Sequence, residues 1–237
     1  MPKETQRQNL YEIIADKMER DILRHKSNGE KLPSEQKLAS MYEVSRTVIR
    51  EANKILNERG LINFKIGSGA YVTVPEAQSL SDVAYRIINM NNIDYGSVYD
   101  VRLILEVDAA KKAARFVTDE ELKEMRSILE QLKDYSLPLD ERSELDFRFH
   151  YMIANASRNP MLCMLIETMG NLLKNLISES SENDGALDDG IMRHQFIIEA
   201  LSSRDVEMAG FYMMDHICAS KRHYFTYQEK RMKTSEA

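Results

Sequence analysis

The sequence of 237 residues holds only two cysteines, Cys163 and Cys218, and both fall in apolar helical stretches. That excludes a disulfide scaffold and points to buried, reduced thiols, which suits the cytoplasm. Glycine and proline are also scarce, nine and five, against many Leu, Ile, Met, Glu and Lys. This argues for a mainly α fold and against a large sheet. No apolar run approaches the roughly 20 residues needed to span a bilayer, and no signal-peptide pattern opens the chain, so a soluble protein with no membrane partner is expected. Internal repeats and sustained heptads are missing too, which favours a compact helical bundle over a coiled coil.

The length fits two domains better than one, and 43% hydrophobic residues can bury a sizeable core. Charge divides unevenly. Residues 1–75 carry 13 Lys and Arg against 10 Asp and Glu, net +3, whereas the remainder carries 19 against 28, net -9. A basic head on an acidic body is the sign expected for a nucleic-acid reader, and it permits that reading without deciding it.

Residues 31–74 organise the chain. Pro33 fixes the backbone before Ser34, whose hydroxyl can cap a short helix with Leu38 and Met41 on one face. After the turn Tyr42-Glu43-Val44, Ser45 caps a second helix whose stripe is Val48, Ala52, Ile55 and Leu56, ending at Gly60. The stripe leaves Arg46, Thr47 and Arg50 near the exposed N-terminal end, where a helix in the major groove meets base edges and phosphates. Short β-branched or apolar runs over 61–65 and 70–74 flank Gly67-Ser68-Gly69 and predict a hairpin wing. Upstream, Leu10, Ile13, Ile14, Met18 and Ile22 predict an amphipathic helix over 6–27 that completes a three-helix core.

The blocks LPSEQKLA, VSRTVIREA, GLI and GSGAYV, in that order and spacing, resemble the winged helix-turn-helix domain of GntR-family transcription regulators. The resemblance implies DNA contact by Arg46 and Arg50, phosphates held by Ser45 and Thr47, and Gly69 at the wing tip approaching the minor groove. Ser34 and Gln36, at the start of the first helix, belong to the same implied surface. Two positions depart from the family: Gln36 stands where Arg is frequent, and Lys65-Ile66 where a basic pair is common. Both leave fewer charges for phosphates.

The expected domains are 1–75, a linker over 76–80, and an all-α antiparallel bundle over 81–232 with six or seven helices. Predicted helices run over 81–90, 97–116, 118–134, 140–157, 159–180, 188–202 and 205–230. Thr118 with Glu121 forms a capping box, and Asn159-Pro160 pairs a cap with a first-turn proline. Within this bundle Asp146 and His150 stand four apart on one helical side, His194 is central to the stripe of Ile191, Ile198 and Leu201, and His216 shares a face with Ala209, Tyr212 and Met213. One carboxylate and three imidazoles on inward faces can bind a divalent transition metal; the plainer alternative is hydrogen-bonded core histidines.

DFRFH, ASRNP, HQFIIEAL and RDVEMAGFYMMDHI resemble the C-terminal domain of the FadR-like branch of the same family, over about residues 80–230. The resemblance implies zinc, nickel or manganese on Asp146, His150, His194 and His216. It also implies that Arg102 meets an acidic effector, and a bidentate carboxylate is the physical reason for Arg; an internal ion pair with Glu106 is the alternative. His223, seven residues after His216, could line the same cavity, but a surface position near the chain end is expected. The expected protein is a homodimeric repressor on double-stranded DNA, at a pseudo-palindromic operator, controlled by a small carboxylate metabolite and metal. Its rivals are the same regulator with a purely structural metal, and a metal-dependent hydrolase or lyase.

Overall fold

The computed structural model describes residues 9–74, 77–183 and 185–235. Two compact units divide after Glu76.

In the first unit α1 spans Leu10–His25, and the Asn9 amide donates to Glu12 Oε2 at 2.9 Å to close its first turn. Residues 6–8 of the predicted helix lie outside the described residues. The buried face is Ile14, Ala15, Met18 and Ile22, whereas Leu10 and Ile13 are exposed. Leu10 continues the line of Ile14, Met18 and Ile22 one turn past the packed core, so periodicity alone overcounted the stripe.

Helix α2, Glu35–Tyr42, is capped by Ser34, whose hydroxyl accepts from the Lys37 amide at 3.3 Å. It ends at Glu43 in the left-handed region, φ 56°. Ala39 joins Leu38 in the core and Met41 faces solvent. Ser45 caps α3, Arg46–Glu58, by accepting from the Val48 amide at 3.3 Å. Ile49, Ala52, Asn53 and Leu56 are its buried residues, with Val48 and Ile55 on the margin.

Strands β1, Ile62–Lys65, and β2, Gly69–Val72, pair antiparallel from Ile62↔Val72 to Lys65↔Gly69, and Lys31 bridges to Tyr71. Three helices and this hairpin make a winged helix-turn-helix.

The second unit is all helix: α4 Ala77–Met90, α5 Tyr95–Phe116, α6 Asp119–Leu132, α7 Leu139–Ala156, α8 Pro160–Thr168, α9 Gly170–Ser181, α10 Ala186–Ser202 and α11 Val206–Ser235. Helix α4 begins inside the stretch assigned to a linker.

Eight helices replace the expected six or seven, because the run predicted over 159–180 breaks at Met169. Ser81 Oγ of α4 accepts from the Asn171 amide at 2.7 Å and so caps the first turn of α9. Gly170 lies against the Phe147 ring, where a Cβ would meet Cζ at 3.1 Å. Between α9 and α10 the chain turns through Gly185 at φ 75°; Asp184 is outside the described residues.

Thr118 Oγ1 accepts from the Glu121 amide at 3.2 Å while the Thr118 amide donates to Glu121 Oε2 at 2.8 Å. Glu121 also holds Arg158 at 2.7 and 2.8 Å, tying the start of α6 to the turn after α7. Thr118→Ala should therefore destabilise the helical unit by about 1 kcal/mol, seen as a lower urea midpoint for its unfolding.

Candidate metal centre and DNA-reading surface

Three helices converge on the cluster. Asp146 and His150 come from successive turns of α7, His194 from α10 and His216 from α11, and one donor atom from each lies within 4.8 Å of the others. His150 Nε2 stands 3.1 Å from His216 Nε2 and 3.6 Å from Asp146 Oδ2, while His194 Nε2 is 3.4 Å from Asp146 Oδ1. Donors bound at about 2.0–2.2 Å to one ion stand roughly 3–3.5 Å apart, so these separations fit a common metal.

The imidazoles are buried, and the Phe149 ring packs on His194 with centroids 4.3 Å apart. Both nitrogens of His194 and Nδ1 of His216 have no hydrogen-bond partner among the described residues. Buried polar atoms left this way are costly, and a cation among the Nε2 atoms removes that cost at His194 Nε2. Burial pushes the His194 imidazole down to about 4 against the opposing attraction of Asp146. His216 is held well below the usual histidine value by burial, with His194 and His150 acting in the same direction. Neutral imidazoles with free lone pairs are the form that coordinates metal.

Behind His150 lies a charge that sequence reading assigned only to Arg102. Glu106 of α5 accepts from Arg102 Nε at 2.7 Å and contacts His150 Nδ1 through its second oxygen. Arg102 and Glu106 are 1% and 2% exposed. Burial raises the Glu106 pKa, but Arg102 and His150 outweigh it and hold the carboxyl at about 2. A carboxylate beside Nδ1 favours the His150 tautomer protonated there, which leaves the Nε2 lone pair toward the cluster. The two alternatives for Arg102 therefore coexist in part: its Nε is paired, while Nη1 and Nη2 are buried without a partner among the described residues.

A narrow cleft of about 40 Å³ reaches Asp146, His194 and His216 between walls that include Ser180, Ser220 and Arg193. Arg102 is not among its lining residues. His223, expected at the surface, lines this cleft and its Nε2 lies 3.1 Å from Asp189 Oδ2. The correction comes from the length of α11, which carries His223 two turns past His216 along the same wall.

In the first unit Arg46, Thr47, Arg50 and Gln36 are exposed, and Arg50 Nη2 meets Glu35 at 3.3 Å. Ser34 and Ser45 use acceptor lone pairs in capping, which leaves each O–H free to donate. Gly69 is not the wing tip. It opens β2 opposite Lys65, and the apex is Ile66-Gly67.

A winged helix-turn-helix joined to a helical unit with a buried, cleft-accessible cluster defines a transcriptional regulator. Residues 10–72 match the family model described as "Bacterial regulatory proteins, gntR family", and residues 97–219 match the FCD domain. The Exu regulon transcriptional regulator of Escherichia coli (strain K12) is 31% identical over 226 residues, covering 90% of this chain and 83% of that protein. The HTH-type transcriptional repressor NanR of Salmonella arizonae is 26% identical, covering 96% and 89%. Among solved structures, Streptococcus agalactiae GntR superposes with a TM-score of 0.71 at 28% identity, over 90% of this chain and 99% of that one. The chain belongs to the GntR family, in the group that carries an FCD domain. It is a DNA-binding transcriptional regulator and not an enzyme, which sets aside the hydrolase or lyase reading. No described helix is long and apolar enough to cross a membrane.

Proposed function

We propose that this regulator is a cytoplasmic, homodimeric repressor whose helical domain holds a divalent transition metal and senses a small organic acid. The observation that carries the reading is the convergence of three buried imidazole Nε2 atoms and the Asp146 carboxylate at separations suited to one ion. Asp146, His150, His194 and His216 hold the metal, and zinc, nickel or manganese are the candidates, imidazole-rich sites favouring the first two. When bound, the metal supplies a Lewis-acidic anchor for a carboxylate.

The protein's own residues do the rest. The cleft beside His194 and His216 widens to admit the acid, Ser220 offers a hydroxyl donor, and Nη1 and Nη2 of Arg102, without a hydrogen-bond partner among the described residues, offer a fork for a carboxylate. A ligand that engages both anchors requires the cleft floor to rearrange, which gives effector binding a conformational consequence.

On DNA, Arg46 and Arg50 read or clamp the major groove, Ser34, Gln36, Ser45 and Thr47 hold phosphates, and Gly69 supports the wing. A dimer sets two such helices about one helical turn apart on a pseudo-palindromic operator. The relative named as a repressor supports the sign of the response. Arg50→Ala should weaken binding to a selected duplex about tenfold or more and leave metal content unchanged, measured by fluorescence anisotropy and metal mass spectrometry. Equal loss of both would sink the division of labour between the units.

A further inference from the structure

The wing carries apolar surface that the fold does not bury. From Ile62 through Phe64 to Ile66, exposure climbs from 2% to 47% to 105%, as the hairpin runs off the edge of the three-helix core. On the other side of the hairpin Tyr71 pairs with Asn63, and its ring lies 4.6 Å from Lys65 Nζ and 5.8 Å from Lys31 Nζ.

The apex is held rather than loose. Ser68 N donates to the Lys65 carbonyl at 2.9 Å, Ser68 Oγ and Tyr71 OH are 2.6 Å apart, and Gly67 takes φ 71°. A fixed hairpin thus presents one β-branched apolar side chain at its tip with two ammonium groups behind it. The minor groove, about 6 Å wide, admits such a tip. Apolar side chains there enter between base pairs and partly unstack them, while cations behind them take the flanking phosphates.

We propose that Ile66 is a minor-groove wedge, inserted beside the major-groove site of α3, with Lys65 and Lys31 on the bordering phosphates. Flexible pyrimidine–purine steps are the sequence it favours, since they unstack most readily. The inference rests on the DNA-binding function of this unit. It commits to DNA rather than to a second protein surface because the charge around the tip is positive.

The test uses the full chain and a duplex that the wild-type protein enriches from a random-sequence pool, with 2-aminopurine placed at successive adenines. Wild type and Ile66→Leu should raise emission at a step in each half-site. Ile66→Ser should lose that rise and bind about tenfold more weakly, with an unchanged salt dependence. Lys65→Ala should keep the rise and lower the slope of log K against log salt by about 1. Ile66 is fully exposed, so Ile66→Ser should unfold at the wild-type temperature, which separates lost contact from lost fold. Wild type without any emission rise, or Ile66→Ser that retains both rise and affinity, overturns the wedge. A duplex whose binding survives Arg50→Ala instead overturns the reading of α3, and failure to enrich any duplex overturns both.

Discussion

Replacing His194 with alanine should abolish tight transition-metal binding and leave the effector-free affinity for DNA at the wild-type level. His194 contributes an imidazole that is 1% exposed, whose pKa burial has pushed down to about 4, and whose two nitrogens have no hydrogen-bond partner among the described residues. It is therefore neutral and available at physiological pH. Loss of a residue that merely orients a ligand costs about 10–100-fold in metal affinity, and loss of a ligand itself exceeds that.

Competition against a chelator and metal mass spectrometry read the first effect, and anisotropy on the selected duplex reads the second. Stripping the wild-type metal then separates sensing from scaffolding. A sensor stays folded and loses its thermal shift with small carboxylic acids, whereas a structural site melts with the metal. His194→Ala that retains metal at wild-type affinity would return the histidines to the role of core residues.

Much of this architecture is legible in short range. Thr118 with Glu121, Asn159 with Pro160, and Ser34 and Ser45 ahead of their helices all act within three residues, and each caps the helix expected of it. The inward positions of Asp146, His150, His194 and His216 follow from helical period, and the structure brings all four together.

What was not legible depends on partners far along the chain. The break at Met169 needs Ser81, ninety positions before Asn171, to cap α9, and Gly170 is the one local signal of it. Exposure of Leu10 and Met41 depends on where the core ends, which a stripe of apolar residues does not state. Glu106 was visible four residues after Arg102, but its second contact is with His150 on another helix. Its position in a helical run rich in Ala and Leu was the available signal, since a carboxylate is rarely fully buried without a partner.

Glu106→Ala should be the most destabilising single change in the helical unit, by about 3–5 kcal/mol. Among the described residues the carboxylate is the only hydrogen-bond partner of a guanidinium that is 1% exposed, so its removal leaves that cation with the Tyr99 ring alone. The double replacement Arg102→Met with Glu106→Met removes that cation and should regain most of the lost stability, because a buried ion pair exchanged for packed apolar side chains is close to neutral.

Metal binding should not follow stability back. In the double variant, as in Glu106→Gln, His150 lacks the anion that holds its proton on Nδ1, and affinity should stay about 10–100-fold down. Urea unfolding and chelator competition on the same four proteins separate the two roles. If Glu106→Gln bound metal as wild type does, the contact to His150 would be packing alone and Glu106 would serve Arg102 only. If the double variant recovered metal affinity together with stability, the weakened binding in Glu106→Ala would be a consequence of a damaged core rather than of a misdirected imidazole.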